Sequence, residues 1–249
     1  MDISDLVAIA PKEARFSTTL GAAIQILRKH LAVFATMGAL VWVPSNLLLQ
    51  AQQYVMRTHA GHLSFGSFLS MMLVLFSSSF AWWIEHAAVS AAVMQHARGE
   101  TPTLQGALVI VGRRLGELVS AFGHTMMTIF VYSLALVVPG VVQALRCQLV
   151  AQVVLFEGAA GKAAIARSAQ LTHGRKGRLW LYLFAMCLVS VAASKLLAAL
   201  GFAPGSIVGG LLVGASTIVT GPLVQIATTL EYASARVAEP AAPAASPAP

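Results

Sequence analysis

Long apolar runs separated by short polar connections dominate the sequence. A helix needs about 20 mostly apolar residues to cross the hydrocarbon core of a bilayer. Six runs are predicted to form such spans: residues 31–49, a run beginning near residue 63, and residues 118–138, 141–156, 179–200 and 207–230. The second run is either 63–84, with Glu85 just past its end, or 68–94, with Glu85 well inside. Pro139 and Gly140 predict a tight turn between the third and fourth spans. The pattern therefore predicts an all-α membrane protein with six transmembrane helices.

The basic residues lie in alternate connections between these runs. One set of connections, which includes both chain ends, holds 13 of the 16 Lys and Arg residues, whereas the other set holds only Arg57. Because Lys and Arg are enriched in cytoplasmic loops, both termini are predicted to be cytoplasmic. The predicted organisation is a cytoplasmic or interfacial amphipathic segment (1–30), a six-span membrane domain (31–236) and an Ala/Pro-rich tail (237–249), which we expect to be disordered.

Composition narrows the class of protein further. Apolar residues make up 57% of the chain, charged residues 10%, and the net charge is +7. A soluble domain carries about 25% charged residues, so a water-soluble globule and a disordered chain are both excluded. The positive charge is explained by topology, and we expect no nucleic-acid partner. It leaves a basic cytoplasmic face for which anionic lipid headgroups are the expected partner, with other membrane proteins or a second copy of the chain as open alternatives.

Three cytoplasmic segments resemble one another, and each precedes a pair of predicted spans. Residues 19–31 align without gaps on residues 103–115, and residues 163–168 form a looser third copy. The chain is therefore either three repeats of an amphipathic helix plus two spans, or an Ala-rich protein whose segments before the membrane look alike. Apolar residues at helical spacing predict amphipathic helices over 16–31 and 104–115. These helices either lie in the membrane interface or extend the following span.

Among the ionisable residues within or next to the predicted spans, the three candidates are Glu85, His124 and Arg146. Ionisable groups inside a membrane are costly, so each is a candidate for function. Glu85 and Arg146 either pair within the bundle or lie near the interface, with the Arg146 side chain extending to water. His124 is expected to form a polar contact between helices. The spacing Gly210-x-x-x-Gly214 in the sixth span suits close helix contact.

The sequence holds no pattern typical of catalysis. Neither Gly-x-Ser-x-Gly nor His-Glu-x-x-His nor a phosphate-binding Gly-x-x-x-x-Gly-Lys occurs, and no Asp follows Asp5. We therefore expect no catalytic residue, no metal site, no cofactor and no enzymatic activity.

A motif begins at the turn before the fourth run and continues into the connection after that run. Pro139-Gly140 opens the fourth helix, Glu157 closes it, and the segment from Ala164 to Gly174 reads Ala-x-x-Arg-Ser-x-x-Leu-Thr-x-Gly. This resembles the bacterial six-helix membrane family related to the membrane domain attached to some glycerophosphoryl diester phosphodiesterases. The resemblance implies a six-helix fold in the bacterial cytoplasmic (inner) membrane. The catalytic phosphodiesterase domain is absent here, so that activity is not implied.

Polar residues near this motif are candidates for a clamp between cytoplasmic helices or for contacts to lipid headgroups. They are Glu157, Lys162, Arg167, Ser168, Arg113 and Arg114. Glu157 is expected to pair with Arg167 or Lys162, and Gly174 is expected to end the short helix in a left-handed conformation.

The sequence thus favours a non-catalytic scaffold or accessory subunit of the membrane. The alternative is a transporter or carrier of a lipid or small amphiphile, with Glu85, Arg146 and His124 lining a shared cavity. An intramembrane hydrolase is less favoured, because it would need Ser216 or another nucleophile close to His124.

Overall fold

A computed structural model describes residues 3–11, 15–58, 65–201 and 207–239, and no strand occurs among them. The prediction of an all-α protein is confirmed. In chain order the helices are α1 (Ser4–Ile9), α2 (Phe16–Lys29), α3 (Leu31–Thr58), α4 (Phe65–Ala97), α5 (Leu104–Gly112), α6 (Leu115–Ala135), α7 (Val137–Arg146), α8 (Val150–Gln152, continued by the π-helical turn Val153–Glu157), α9 (Gly161–Leu171), α10 (Lys176–Ala199) and α11 (Ile207–Val237). Residues 240–249 of the predicted disordered tail lie outside the described part.

Five stretches of the described chain are long and apolar enough to cross a membrane. They are Leu31–Gln53, Phe65–Ala97, Val138–Glu157, Lys176–Ala199 and Leu212–Val237. The third predicted span is helical as α6 (Leu115–Ala135) but is not among these five stretches. Glu85 lies inside the 33 residues of α4 rather than past its end.

The corner between α6 and α7 differs from the predicted turn. Leu136 is the extended residue, with φ −164° and ψ 150°, and α7 begins directly after it. Pro139 therefore lies in the first turn of a helix and Gly140 follows it in the same helix. A proline is tolerated there because the first N–H groups of a helix have no partner within it. The chain breaks again at residues 147–149, so the fourth predicted span consists of two helical pieces.

Burial is concentrated at one end of the bundle, which we call the core end. It is built from the C-terminal halves of α4 and α11, roughly 83–95 and 224–235, together with α8 and its π-helical turn. Towards the opposite end the long helices expose large apolar side chains, among them Leu73, Leu134 and Leu200. Apolar side chains on the outside are what a bilayer requires of a spanning helix.

The three short helices α2, α5 and α9 pack against the core end. Helix α2 contacts α11, α5 contacts α4, and α9 contacts α6. Their buried residues include Ala23 and Leu27 in α2, Ala107 in α5 and Ala164 in α9. A break separates each short helix from the long helix after it, so α2 and α5 are not continuations of the next span. The order of a short helix followed by two longer helical stretches occurs three times along the chain.

Glycines bring α3 and α11 together. A Cβ placed on Gly38 would lie 2.5 Å from the carbonyl oxygen of Ile218, and one placed on Gly214 would lie 3.0 Å from Nδ2 of Asn46. Small residues let helix backbones approach closely, which is how helices pack when lipid removes the usual hydrophobic driving force. The close contact expected at Gly214 is therefore present, with α3 as the partner.

Candidate functional site

A buried cluster of polar side chains joins three helices inside the core end. Nε2 of His86 lies 3.0 Å from Oγ1 of Thr228 and 2.6 Å from Nε2 of Gln152. Gln152 Nε2 also donates to Oγ of Ser90 at 3.3 Å, and Ser90 lies 2.9 Å from Oγ1 of Thr229. Buried polar groups need such partners, since each one left unpaired costs about 1–3 kcal/mol. Sequence reasoning missed this cluster, although polar residues recurring one turn apart in an apolar helix, as His86 and Ser90 do, could have indicated it.

Glu85 points away from that cluster, because adjacent helical residues face directions about 100° apart. It is 2% exposed, and neither carboxyl oxygen has a hydrogen-bond partner within the described chain. A Cβ placed on Gly221 would lie 3.0 Å from Nε1 of Trp42 and 3.6 Å from Oε1 of Glu85, so the two side chains meet beside this glycine. The indole N–H of Trp42 and the amide of Gln225 also have no hydrogen-bond partner.

Of the two alternatives for these residues, the pairing of Glu85 with Arg146 within the bundle is wrong, whereas an Arg146 side chain that extends to the surface agrees with the structure. Arg146 is exposed at the last turn of α7 and lines a surface groove with His173 and Lys176. The break after Arg146 ends the helix early, so its side chain reaches the surface instead of the bundle.

His124 lies on an exposed face of α6. Its Nδ1 is 2.8 Å from the carbonyl oxygen of Ser120 in the same helix. Its ring lies 3.5 Å from the position that a Cβ of Gly161 would take. The prediction of a cavity shared by Glu85, Arg146 and His124 is therefore wrong, because the three side chains lie in different places.

A cavity of about 470 Å³ does lie between α3, α4, α6, α7 and α10. Most of its wall is apolar, with polar atoms supplied by indoles, hydroxyls, one imidazole and one amide. The lining includes Trp42, Trp82, Trp83, His86, Thr125 and Ala144. Its volume lies in the range of small-molecule sites, about 300–1,000 Å³.

The predicted pairing of Glu157 with Arg167 is confirmed. Nε of Arg167 lies 2.8 Å from Oε2 of Glu157, and Nη2 lies 2.7 Å from Oε2 of Glu239. Tyr232 donates its hydroxyl to Oε1 of Glu157 at 2.9 Å. The hydrogen bonds that Arg167 donates to the carboxylates of Glu239 and Glu157 raise the pKa of Arg167, and Arg167 lowers the pKa of Glu239. Lys162, the other predicted partner, is exposed and forms no ion pair with a described residue.

Ser168 forms hydrogen bonds with backbone groups on both sides of the break in the fourth predicted span. Its buried Oγ accepts from the backbone N–H of Leu149 at 3.2 Å and donates to the carbonyl oxygen of Arg146 at 2.6 Å. Both backbone groups belong to the interrupted stretch, which has no helical partners for them. Gly174 follows α9 with φ +73°, so the predicted left-handed conformation is confirmed.

A second carboxylate, Glu231, organises the end of α11 and was not among the predicted site residues. It is 1% exposed and accepts hydrogen bonds from Tyr182 at 3.1 Å and Thr19 at 3.5 Å. Its Oε2 lies 3.2 Å from Nη2 of Arg178 and 3.6 Å from Nη1 of Arg175. Burial and the neighbouring Arg178 lower the pKa of Arg175. The signal was an acid placed directly after the sixth apolar run, on the side predicted to hold the basic residues.

Arg113 and Arg114 form the break between α5 and α6 and line a groove at the core end together with Arg98.

A scan against models of protein families, a search of curated proteins and a search of solved structures each found no match. The family resemblance of residues 139–174 therefore stays a prediction.

Proposed function

We propose that the chain is a non-catalytic integral membrane protein that carries or stores a small neutral amphiphile in its intramembrane cavity. The five apolar helices and the alternation of basic connections support a multi-pass membrane protein with both termini in the cytoplasm. The bacterial cytoplasmic membrane is what the family resemblance implies. Six spans require α6 to cross as well. Helix α6 has the length for this, since 21 residues extend about 30 Å.

The cavity of about 470 Å³ is the observation that carries this proposal. Its walls come from five helices, and apolar side chains provide most of the lining. Among the described residues that line it there is no Asp, Glu, Lys or Arg, so a charged ligand would be left without a counter-ion in a low-dielectric site. An uncharged molecule with an apolar body and a hydroxyl or amide group fits this chemistry. Hydrogen-bonding groups are available from Thr125 Oγ1 and Gln148 Nε2, which have no hydrogen-bond partner within the described chain.

Tryptophan quenching tests the proposal directly. Three of the four tryptophans, Trp42, Trp82 and Trp83, line the cavity. A brominated monoacylglycerol titrated into the purified full chain in detergent should quench them saturably, since bromine quenches indoles on contact. Ala144→Phe places a ring in the cavity and should weaken binding at least about tenfold.

The matched control is Ala192→Phe, which adds the same ring on an exposed face of α10 and should leave binding unchanged. Quenching that never saturates in the unaltered protein would contradict the proposal. So would equal affinities for Ala144→Phe and the unaltered chain, provided that both fold to the same helical content.

A second candidate, the scaffold or accessory subunit, is favoured by a different observation. The core end is held by ion pairs and buried hydrogen bonds, while the other half of the bundle exposes broad apolar faces. Such faces accept either lipid or the helices of another membrane protein.

Cys187 is exposed on α10 and Cys147 is buried, so a photoactivatable maleimide in native membranes labels the α10 face selectively. A defined protein adduct that disappears in Cys187→Ser supports a scaffold. Adducts to lipid alone would count against a scaffold function.

A further inference from the structure

Three arginines from two backbone segments line one groove at the core end. Arg98 follows the end of α4, and Arg113 and Arg114 separate α5 from α6. The groove has a volume of about 310 Å³, and Ile110 and Leu155 complete its lining. We propose that this groove binds the phosphate headgroup of an anionic membrane lipid. The proposal is independent of the intramembrane cavity, which has a different lining.

Gly158 lets the guanidinium of Arg114 lie against the backbone that follows the π-helical turn. A Cβ at Gly158 would lie 2.9 Å from Nη1 and 3.2 Å from Nη2 of Arg114. The residue also has φ +72°, a conformation that favours glycine. The local chain thus provides room for this guanidinium at the groove.

The positive charge of the groove is weakly compensated. Nε of Arg98 lies 3.8 Å from Asp5, and Nη1 of Arg114 lies 3.5 Å from Glu117, both at the long end of ion-pair distances. Exposed pairs of this kind contribute about 0–1 kcal/mol, so an incoming phosphate can replace them. Arg113 forms no ion pair with any residue that the structure describes.

The other arginines of the core end are already engaged with carboxylates. Arg167 and Arg236 are bound to Glu157 and Glu239, and Arg175 and Arg178 to Glu231. They hold helices together, whereas the groove presents guanidinium groups to the surface. Arginine suits phosphate because its planar fork of N–H donors matches two phosphate oxygens.

Exposed apolar side chains adjoin the arginines along the chain. Leu108 and Val109 on α5 and Leu115 at the start of α6 are each nearly half exposed. Ile110, which is partly exposed, also lines the groove itself, while Leu155 is 1% exposed and adds almost no apolar surface. A soluble phosphate compound gains nothing from such neighbours, whereas a lipid can lay its glycerol and acyl chain over them. The combination of basic and apolar surface favours a lipid headgroup as the occupant.

The test is native mass spectrometry of the full chain in a neutral detergent, titrated with phosphatidylglycerol or phosphatidylcholine. In micelles no charged membrane surface attracts basic residues, so only a specific site distinguishes the two lipids. We expect phosphatidylglycerol to bind more tightly. Arg113→Gln combined with Arg114→Gln should weaken its binding at least about tenfold, because charge-assisted hydrogen bonds to phosphate are lost.

The matched control is Arg28→Gln combined with Lys29→Gln. It removes two exposed basic residues from the last turn of α2, just before α3, and should change binding less than twofold. Arg113→Lys combined with Arg114→Lys keeps the charge and, if folding is impaired by glutamine, should still bind more weakly than the unaltered chain.

Equal binding of both lipids would overturn the proposal, as would equal losses in the groove and control variants. Glycerol 3-phosphate serves as the soluble probe. If it competes as effectively as phosphatidylglycerol binds, the site takes a free phosphate compound and the lipid assignment is refuted. Loss of quenching by the brominated monoacylglycerol, with phosphatidylglycerol binding intact, would refute only the cavity function.

Discussion

Gly38 is the position where α3 and α11 come closest, and replacing it with alanine tests how the bundle is packed. The added Cβ would lie 2.5 Å from the carbonyl oxygen of Ile218 and 3.2 Å from its carbonyl carbon. Carbon and oxygen atoms in contact are normally about 3.3 Å or more apart. Both obstructing atoms belong to the backbone, so no side chain can rotate away. The two helices must separate by roughly 0.8 Å at this crossing.

Two opposing terms decide the magnitude. Overpacking of a filled interior costs about 1–3 kcal/mol. Alanine in place of glycine within a helix returns up to about 1 kcal/mol through its higher helix propensity. The net expectation is a free energy of unfolding lower by about 1–2 kcal/mol for Gly38→Ala. Gly123 in α6 provides the matched control, since nothing lies within 4 Å of its added Cβ. Gly123→Ala keeps only the favourable term and should be neutral or stabilising.

The assay is equilibrium unfolding in mixed micelles, followed by far-UV circular dichroism as the fraction of a denaturing detergent is raised. The ordering expected is Gly123→Ala at or above the unaltered chain, and Gly38→Ala clearly below it. If Gly38→Ala is as stable as Gly123→Ala, the backbones of α3 and α11 do not meet at Ile218, and the packing described for this pair of helices is refuted.

Three further predictions concern the core end. Ser168→Ala should lower the free energy of unfolding by about 1–3 kcal/mol, measured as above, because two buried backbone groups lose their only side-chain partner. Glu231→Ala should cost about 3 kcal/mol or more by the same measurement, since it leaves two arginines facing each other without a carboxylate. Arg167 lowers the pKa of Glu239 below its ordinary value of 4.5, so the ionised form is favoured in the folded state. The resulting stability is present above pH 4.5 and is lost as the pH falls through the lowered pKa, and Glu239→Gln should remove this part of the pH dependence of unfolding.

Each of these changes has a control in the same chain. Ser190→Ala removes a hydroxyl that bonds only to a carbonyl of its own helix, and should be nearly neutral. Glu117→Ala removes an exposed carboxylate and should stay within about 1 kcal/mol of the unaltered protein. A pH profile of Glu239→Gln that matches the unaltered chain would show that Arg167 does not hold Glu239 ionised.

Helix positions followed from the sequence better than helix partners did. The apolar spacing over 16–31 predicts which face of α2 is buried, and Ala23 and Leu27 are buried on it. Periodicity contains no information on what covers that face, which is α11 at the far end of the chain. The pairing of Glu157 with Arg167 could be predicted from the sequence, because the two residues are only ten positions apart and are joined by one glycine-containing turn.

The errors have two physical sources. The pairing of Glu85 with Arg146 assumed an unbroken fourth helix, and the break at 147–149 carries Arg146 to the surface. The position of Pro139 within the first turn of α7 shows that a Pro-Gly pair marks a corner only to within a few residues. The His86 cluster depends on the relative rotation of α4, α8 and α11, which no single helix encodes.

Because α2 contacts α11, the N-terminal part of the chain must wait during synthesis until the last long helix has been made. Thr19 and Glu231 are separated by 212 residues, and a ribosome adds about 5–20 residues per second. Thr19 is therefore made roughly 10–40 s before Glu231, the residue of α11 that it contacts. During that interval the apolar face of α2 needs a temporary cover, which the bilayer surface can supply. A chain truncated before Glu231 would keep most of its apolar helices but would lack the hydrogen bond between Thr19 of α2 and Glu231 of α11.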